Sequence, residues 1–152
     1  MKRTAFFPGS FDPFTKGHED IVLRALTLFD EIVIGIGQNS NKNRYFNLGK
    51  MKGYIERTFA GKPVRVVTYQ NLTANVAKEV GAKFIIRGLR NTTDFEYENS
   101  ISQVNRHINE ELETVFLITS PHLAPISSTI IRDLHRYGSK IDQYLPYTLD
   151  GI

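Results

Sequence analysis

The stretch Ala5-Phe6-Phe7-Pro8-Gly9-Ser10-Phe11-Asp12-Pro13-Phe14-Thr15-Lys16-Gly17-His18 decides the fold, because an apolar run empties there through glycine and hydroxyl residues into an amphipathic segment. That segment carries Ile21, Val22, Ala25, Leu26 and Phe29 at helical spacing. A strand running through a polar, glycine-bearing turn into a helix N-terminus is the local architecture that holds phosphates. Backbone N–H groups and the positive end of the helix dipole converge on one point there. A nucleotide site within the first twenty residues is the expectation.

Working outward, apolar runs of strand length at Thr4–Phe7, Ile32–Ile36, Val64–Tyr69, Phe84–Ile86 and Val115–Ile118 alternate with helical patterns. Helices are expected over about Lys16–Phe29, Leu48–Phe59, Thr73–Val80 and Asp94–Ile108, and after Ser127 as far as Gly138. The fourth opens with Thr93-Asp94-Phe95-Glu96, which reads as a capping box. Strands alternating with helices predict an α/β domain, because parallel neighbours need crossover helices. The expected form is a Rossmann-like, doubly wound, five-stranded parallel sheet in a single domain over residues 1–152. In open sheets of this kind the loops after the strand C-termini line the ligand crevice. Gly9–His18, Gln38–Arg44, Arg87–Arg90 and Thr119–Thr129 would then share one rim.

Composition narrows the function classes. The chain has 152 residues, 41% hydrophobic and 23% charged, and no apolar run approaches the ~20 residues a membrane-spanning helix needs. The basic start Met1-Lys2-Arg3 is followed by too short an apolar stretch for a signal peptide. With no cysteine there is no disulfide frame, thiolate metal site or cysteine nucleophile, and a cytoplasmic protein is expected. The formal charge of +3 comes from 19 basic residues scattered against 16 acidic ones. Scatter of that kind fits a small anionic substrate at least as well as nucleic acid.

Several residues carry chemistry. A lone histidine in a helical turn more often packs or faces water, but Gly9-Ser10 and the helix start reverse that preference for His18. It is expected to donate a hydrogen bond to a phosphate oxygen on which charge builds during reaction. Arg87 and Arg90, in Arg87-Gly88-Leu89-Arg90, follow a strand, and guanidinium forks suit phosphate oxygens. The alternative is that they pair with Asp94, Glu96 or Glu98. Lys42 is a flexible cation on a neighbouring loop, and by itself a surface lysine. Asp12 before Pro13 reads as a turn initiator. Ser127-Ser128-Thr129 puts three hydroxyls at a helix start, where one would suffice as a cap, so a second phosphate seat is the better reading. Gly35-Ile36-Gly37 begins like a dinucleotide fingerprint but lacks the third glycine. No phosphate-binding G-x-x-x-x-G-K-[ST] loop, nucleophile elbow or H-E-x-x-H zinc helix is present. The remaining tools suit transfer onto phosphorus, where catalysis is positioning and charge stabilisation.

Phe7-Pro8-Gly9-Ser10-Phe11-Asp12-Pro13, Thr15-Lys16-Gly17-His18, Ile86-Arg87-Gly88-Leu89-Arg90, Asp94-Phe95-Glu96-Tyr97-Glu98, Asn105-Arg106 and Ile126-Ser127-Ser128-Thr129 together resemble phosphopantetheine adenylyltransferase, in order and over nearly the whole chain. The T-x-G-H loop alone marks the nucleotidyltransferase superfamily; R-G-L-R followed by D-F-E-Y-E is far more specific. The resemblance implies attack by the phosphate of 4′-phosphopantetheine on the α-phosphorus of ATP, giving dephospho-coenzyme A and pyrophosphate, with Mg²⁺ and no covalent enzyme intermediate. It makes His18 the transition-state stabiliser, with Lys42 and Arg90 beside it in catalysis. Ser10, Lys42, Thr73 and Arg87 would hold phosphopantetheine. Ser10, Phe11, His18, Gly88, Leu89, Arg90, Glu98, Leu123, Ala124, Pro125, Ile126, Ser127, Ser128 and Thr129 would hold ATP. It further implies a cytoplasmic homohexamer that takes coenzyme A as a feedback ligand and binds neither nucleic acid nor membrane. Three features depart from the family pattern: Ser10 stands for the more frequent threonine, Leu48-Gly49-Lys50-Met51 for L-E-E-R, and the tail after Leu145-Pro146 is short for a terminal helix. The nearest rivals are a nicotinamide mononucleotide adenylyltransferase or a glycerol phosphate cytidylyltransferase, which differ in acceptor. A noncatalytic nucleotide-sensing or nucleic-acid-binding domain would lack turnover.

Overall fold

A computed structural model describes residues 1–38 and 43–149. Strands β1 (Thr4–Gly9), β2 (Glu31–Gly37), β3 (Val64–Tyr69), β4 (Phe84–Leu89) and β5 (Glu113–Ile118) alternate with helices α1 (Lys16–Ala25), α2 (Leu48–Thr58), α3 (Thr73–Glu79), α4 (Thr92–Ile108) and α5 (Ser128–Arg136). The five strands form one sheet in the order β3-β2-β1-β4-β5, and every pairing is parallel. The expected α/β architecture is what forms.

Its central strands are apolar on both faces, and the period-two alternation divides the core. Ala5, Phe7, Ile32, Ile34, Ile36 and Ile86 point to one side, where they bury Ile21, Val22 and Ala25 of α1, Met51, Tyr54 and Ile55 of α2, and Ile131 of α5. Phe6, Val33 and Ile85 point to the other, against Ala74, Val76 and Ala77 of α3 and Leu112. The chain leaves β1 toward β2 and leaves β4 toward β5, in opposite directions. That switch opens a crevice above the carboxyl ends of β1 and β4.

Element ends differ from expectation in ways that matter for the site. β1 continues through Pro8 to Gly9, and β4 through Arg87 and Gly88 to Leu89, where Arg87 pairs Phe116 and Gly88 pairs Leu117. Gly88 therefore does not turn the chain; its missing side chain lets Ile21 of α1 approach, since a Cβ would lie 3.2 Å from Ile21 Cδ1. Helix α1 stops at Ala25 because the Thr27 hydroxyl donates to the Arg24 carbonyl at 2.6 Å and Leu26 becomes the C-cap. The cap of α4 is Asn91, whose side chain accepts from Asp94 N at 2.8 Å, so Thr93-Asp94-Phe95-Glu96 lies inside the helix. Two expected ends hold in detail. Ser127 caps α5 by accepting from Ile130 N at 3.2 Å. Gly138 closes the helix at φ +82, with Gly138 N donating to His135 O at 3.1 Å and Ser139 N to Leu134 O at 2.9 Å.

Helix α2 forms despite Gly49 and a first turn without acids. Asn47 caps it, accepting from Lys50 N at 2.9 Å, and Met51, Tyr54 and Ile55 bury its inner face. Beyond α5 the described chain adds only a short 3₁₀ turn, Asp142–Tyr144.

Candidate active site

The loop after β1 is held by its carbonyls. Arg44 donates to the carbonyls of Ser10 at 2.5 Å and Phe11 at 2.9 Å. Arg132 donates to that of Asp12 at 2.7 Å, Ser128 Oγ to that of Pro13 at 2.8 Å, and Tyr147 Oη to that of Phe14 at 2.6 Å. Five consecutive carbonyls are thus satisfied by side chains from the segment before α2, from α5 and from the tail. Asp12 works in the other direction. Its carboxylate is buried and accepts from Tyr45 N and Phe46 N, each at 2.8 Å, which fixes the segment that carries Arg44. The structural reading of Asp12 holds. Within this frame Phe11 takes a left-handed backbone, φ 45, a costly conformation for an aromatic residue. Its ring fills the space above Gly9, where a Cβ would come within 2.8 Å of Phe11 Cζ. Glycine at position 9 is a packing requirement.

His18 is part of the cap of α1. Thr15 Oγ1 accepts from His18 N at 3.3 Å, and His18 Nδ1 accepts from Thr15 N at 3.0 Å. A backbone N–H can only donate, so Nδ1 carries the lone pair and the neutral ring keeps its proton on Nε2. The imidazole is walled by Phe11 at 4.9 Å, Phe14 at 5.2 Å and Phe7 at 6.1 Å between ring centroids. Burial among these rings, and then the charges of Arg87 and Arg90, lower its pKa to about 3. At neutral pH His18 is a fixed, uncharged donor.

Of the clefts that border this loop, two share a wall. One, of about 440 Å³, is lined by Phe11, His18, Gly88, Arg90, Leu123 and Ile126 through Thr129, among others. The second, of about 420 Å³, lies toward α3 and α4 and is lined by Tyr69, Thr73, Ile85, Tyr97, Ile101 and Asn105, among others. Gly9, Ser10, Arg87 and Glu98 border both clefts and form the wall between them. His18, Arg87 and Ser128 therefore open on one cavity. Leu89, Ala124 and Pro125 do not line it: Leu89 pairs Ile118 in the sheet, and Ala124 and Pro125 sit in the turn behind Leu123. Lys42 lies outside the described residues.

Both arginines are paired here. Arg87 grips Glu98 with Nε at 2.9 Å and Nη2 at 2.6 Å and also donates to the Pro8 carbonyl. Glu98 is almost wholly buried, so the pair is a built part of the wall. Arg90 is more exposed and holds Asp94 through Nε at 3.1 Å. Burial raises the Asp94 carboxyl, but the Arg90 hydrogen bonds outweigh it and hold the acid below the usual carboxylate range. Ion-pair partner and cleft wall thus describe the same two residues. Of the three hydroxyls at α5, Ser127 caps, Ser128 braces Pro13, and Thr129 accepts from Arg132 at 3.3 Å. All three line the first cleft.

Arg44, Arg132 and Tyr147 are contributors that sequence reading passes over. Nothing local distinguishes them from other surface arginines and tyrosines, because their partners lie 33 to 133 positions away. The Thr15–His18 cap could have been read, since it has the capping-box spacing with histidine in place of the acid. Gly35 and Gly37 lie within β2 and form no phosphate loop.

Residues 6–134 match the cytidylyltransferase-like family model. Among curated proteins, phosphopantetheine adenylyltransferase of Cytophaga hutchinsonii is 59% identical over 150 residues, covering 98% of this chain and 100% of the relative. That of Flavobacterium johnsoniae is 50% identical over 145 residues, covering 95% of each chain. Among solved structures, a bifunctional NMN adenylyltransferase/ADP ribose pyrophosphatase from Francisella tularensis, complexed with AMP and a manganese ion, aligns at TM-score 0.71 and 20% identity. The alignment covers 98% of this chain and 46% of that one, and it speaks for the fold alone. From the T-x-G-H turn at the mouth of β1 to the serine-rich start of α5, the chain belongs to the phosphopantetheine adenylyltransferase family of the cytidylyltransferase-like enzymes.

Proposed function

We infer that the protein transfers the adenylyl group of ATP to 4′-phosphopantetheine, releasing pyrophosphate and dephospho-coenzyme A. The observation that carries this reading is the shared wall of Gly9, Ser10, Arg87 and Glu98, which sets two clefts of nucleotide and acceptor size back to back. ATP occupies the cleft of His18, Arg90, Leu123 and residues 126–129, together with Ser10, Phe11, Gly88 and Glu98. Phosphopantetheine occupies the cleft of Thr73, with its phosphate on Ser10, Arg87 and Lys42. An acceptor phosphate oxygen attacks the α-phosphorus, the bond to the bridging oxygen breaks, and pyrophosphate leaves with that oxygen and its electron pair. No covalent enzyme intermediate forms. His18 donates Nε2–H to an α-phosphate oxygen as charge gathers on it, with Lys42 beside it in catalysis, and Arg90 steadies the triphosphate. Arg90 exchanges Asp94 for phosphate as ATP enters.

No group of three or more His, Cys, Asp or Glu side chains gathers among the described residues, and the carboxylates in the nucleotide cleft, Asp94 and Glu98, each take an arginine. A protein-held metal cage does not fit. Mg²⁺ arriving on the phosphates of ATP does, because that ion keeps most of its water and needs few protein oxygens. Its contribution is to offset phosphate charge.

The acceptor is tested by offering the protein ATP with phosphopantetheine, nicotinamide mononucleotide or glycerol phosphate and reading pyrophosphate release. Turnover with phosphopantetheine alone supports the assignment, and exclusive use of nicotinamide mononucleotide overturns it. Coenzyme A, which joins a pantetheine arm to an adenylate, has the parts to enter both clefts and act as a feedback ligand. Competition of coenzyme A with either substrate tests that. A homohexamer is supported by apolar side chains left exposed along α4, including Phe95, Tyr97 and Val104. Sedimentation at six times the 17.3 kDa of one chain is expected, and a monomer would contradict it. A cytoplasmic single-domain enzyme suits that role, and among the described residues no helix is long and apolar enough to cross a membrane.

A further inference from the structure

Gly35-Ile36-Gly37 makes no phosphate loop, yet both glycines lie beneath one side chain. A Cβ on Gly35 would come within 2.2 Å of the Phe6 ring and 3.0 Å of Tyr69 Cε1, and one on Gly37 would stand 3.4 Å from Tyr69 Oη. The Tyr69 ring meets Phe6 edge-on at 5.6 Å. Seated in this way at the end of β3, Tyr69 brings its hydroxyl 3.2 Å from Thr73 Oγ1, at the first residue of α3. Both residues line the cleft of about 420 Å³ toward α4. When one hydroxyl of such a pair donates to the other, a single O–H remains free with lone pairs beside it. A rigid ring carrying that proton is a station for an amide carbonyl.

We propose that the Tyr69–Thr73 hydroxyl pair is a hydrogen-bonding station for the amide-bearing arm of the acceptor, and that Gly35 is a glycine because the Phe6 ring, and beside it the Tyr69 ring, lies across it. The proposal rests on the assignment of this cleft to the acceptor. Tyr69 acts as a specificity residue, remote from the phosphorus atoms.

Steady-state kinetics with ATP and phosphopantetheine test it. Tyr69→Phe removes only the hydroxyl and is expected to raise the acceptor KM about three- to tenfold, the range of one neutral hydrogen bond, while the KM for ATP stays put and kcat stays within about twofold. Thr73→Val raises the same KM, Thr73→Ser, which keeps a hydroxyl, raises it less, and the double variant Y69F/T73V loses less than the sum of the two single ones. An unchanged acceptor KM in Tyr69→Phe, or additive losses in the double variant, overturns the proposal. Ile101→Trp narrows the same cleft from α4 and checks the underlying assignment. A rise in acceptor KM upholds it, whereas a rise in ATP KM alone shows the cleft to be misassigned and takes the proposal with it.

Discussion

His18 owes its chemistry to three neighbours of different kinds. The Thr15 amide occupies Nδ1, the phenylalanine rings strip water from the imidazole, and the two arginines repel a second proton. We expect His18→Ala to lower kcat by about 10²–10³-fold, the usual cost of removing one preorganised donor to a developing charge, with a smaller change in the KM for ATP. Equal losses in binding and turnover would deny it that role. Titration gives a second test. The folded-state pKa lies below the unfolded value of 6.5, so protonation favours the unfolded chain. Stability is full above about pH 6.5 and drains as pH falls toward 3. In the free enzyme the imidazole signal should hold its neutral Nε2–H form from pH 8 to 5, and in His18→Asn the loss of stability between pH 7.5 and 5 should shrink. A midpoint near 6.5 would contradict the burial argument. The place of His18 on the cleft was legible because glycine, hydroxyl and helix start surround it in sequence. Its tautomer was not, since that depends on which atom of a folded turn faces Nδ1.

Helices and strands were legible wherever apolar spacing carried them, and their ends were less so. Arg87 and Gly88 read as an exit loop, yet both stay in β4 because β5 continues to pair them. Strand length is set by the neighbour's register, which no local pattern records. Asn91 took the cap expected of Thr93 because either side chain could serve, and the turn leaving β4 chose between them. Helix α2 offers a quantitative test. Gly49 is exposed, and an added Cβ would meet only Asn47 Oδ1 at an ordinary 3.5 Å. Gly49→Ala should therefore stabilise the fold by about 0.5–1 kcal/mol in urea or thermal unfolding. Destabilisation would show that the first turn of α2 needs a glycine for a reason outside its packing.

Across the molecule, the loop after β1 is held from far away in sequence, and that long-range bracing was the least legible part. Tyr147 shows it best. It stacks on Tyr54 at 4.8 Å, reaches Met51 Sδ at 3.3 Å and donates to the Phe14 carbonyl, tying the tail to α2 and to the loop below His18. Tyr147→Phe should cost about 1 kcal/mol of stability for the lost hydrogen bond and lower kcat more than the KM for ATP, since it loosens the turn that aims the imidazole. Unchanged stability and turnover would mean that the tail merely rests there. The parallel, doubly wound sheet was legible from strand alternation, whereas its strand order and the partition by Arg87 and Glu98 depended on contacts far apart in sequence. In-line transfer requires the two phosphates to meet at one point. A crystal structure with a non-hydrolysable ATP analogue and phosphopantetheine bound together should place the α-phosphorus beside His18 Nε2, with the acceptor phosphate facing it across Ser10 and Arg87. Phosphates lodged apart, with the Arg87 wall intact between them and no path for in-line attack, would contradict it.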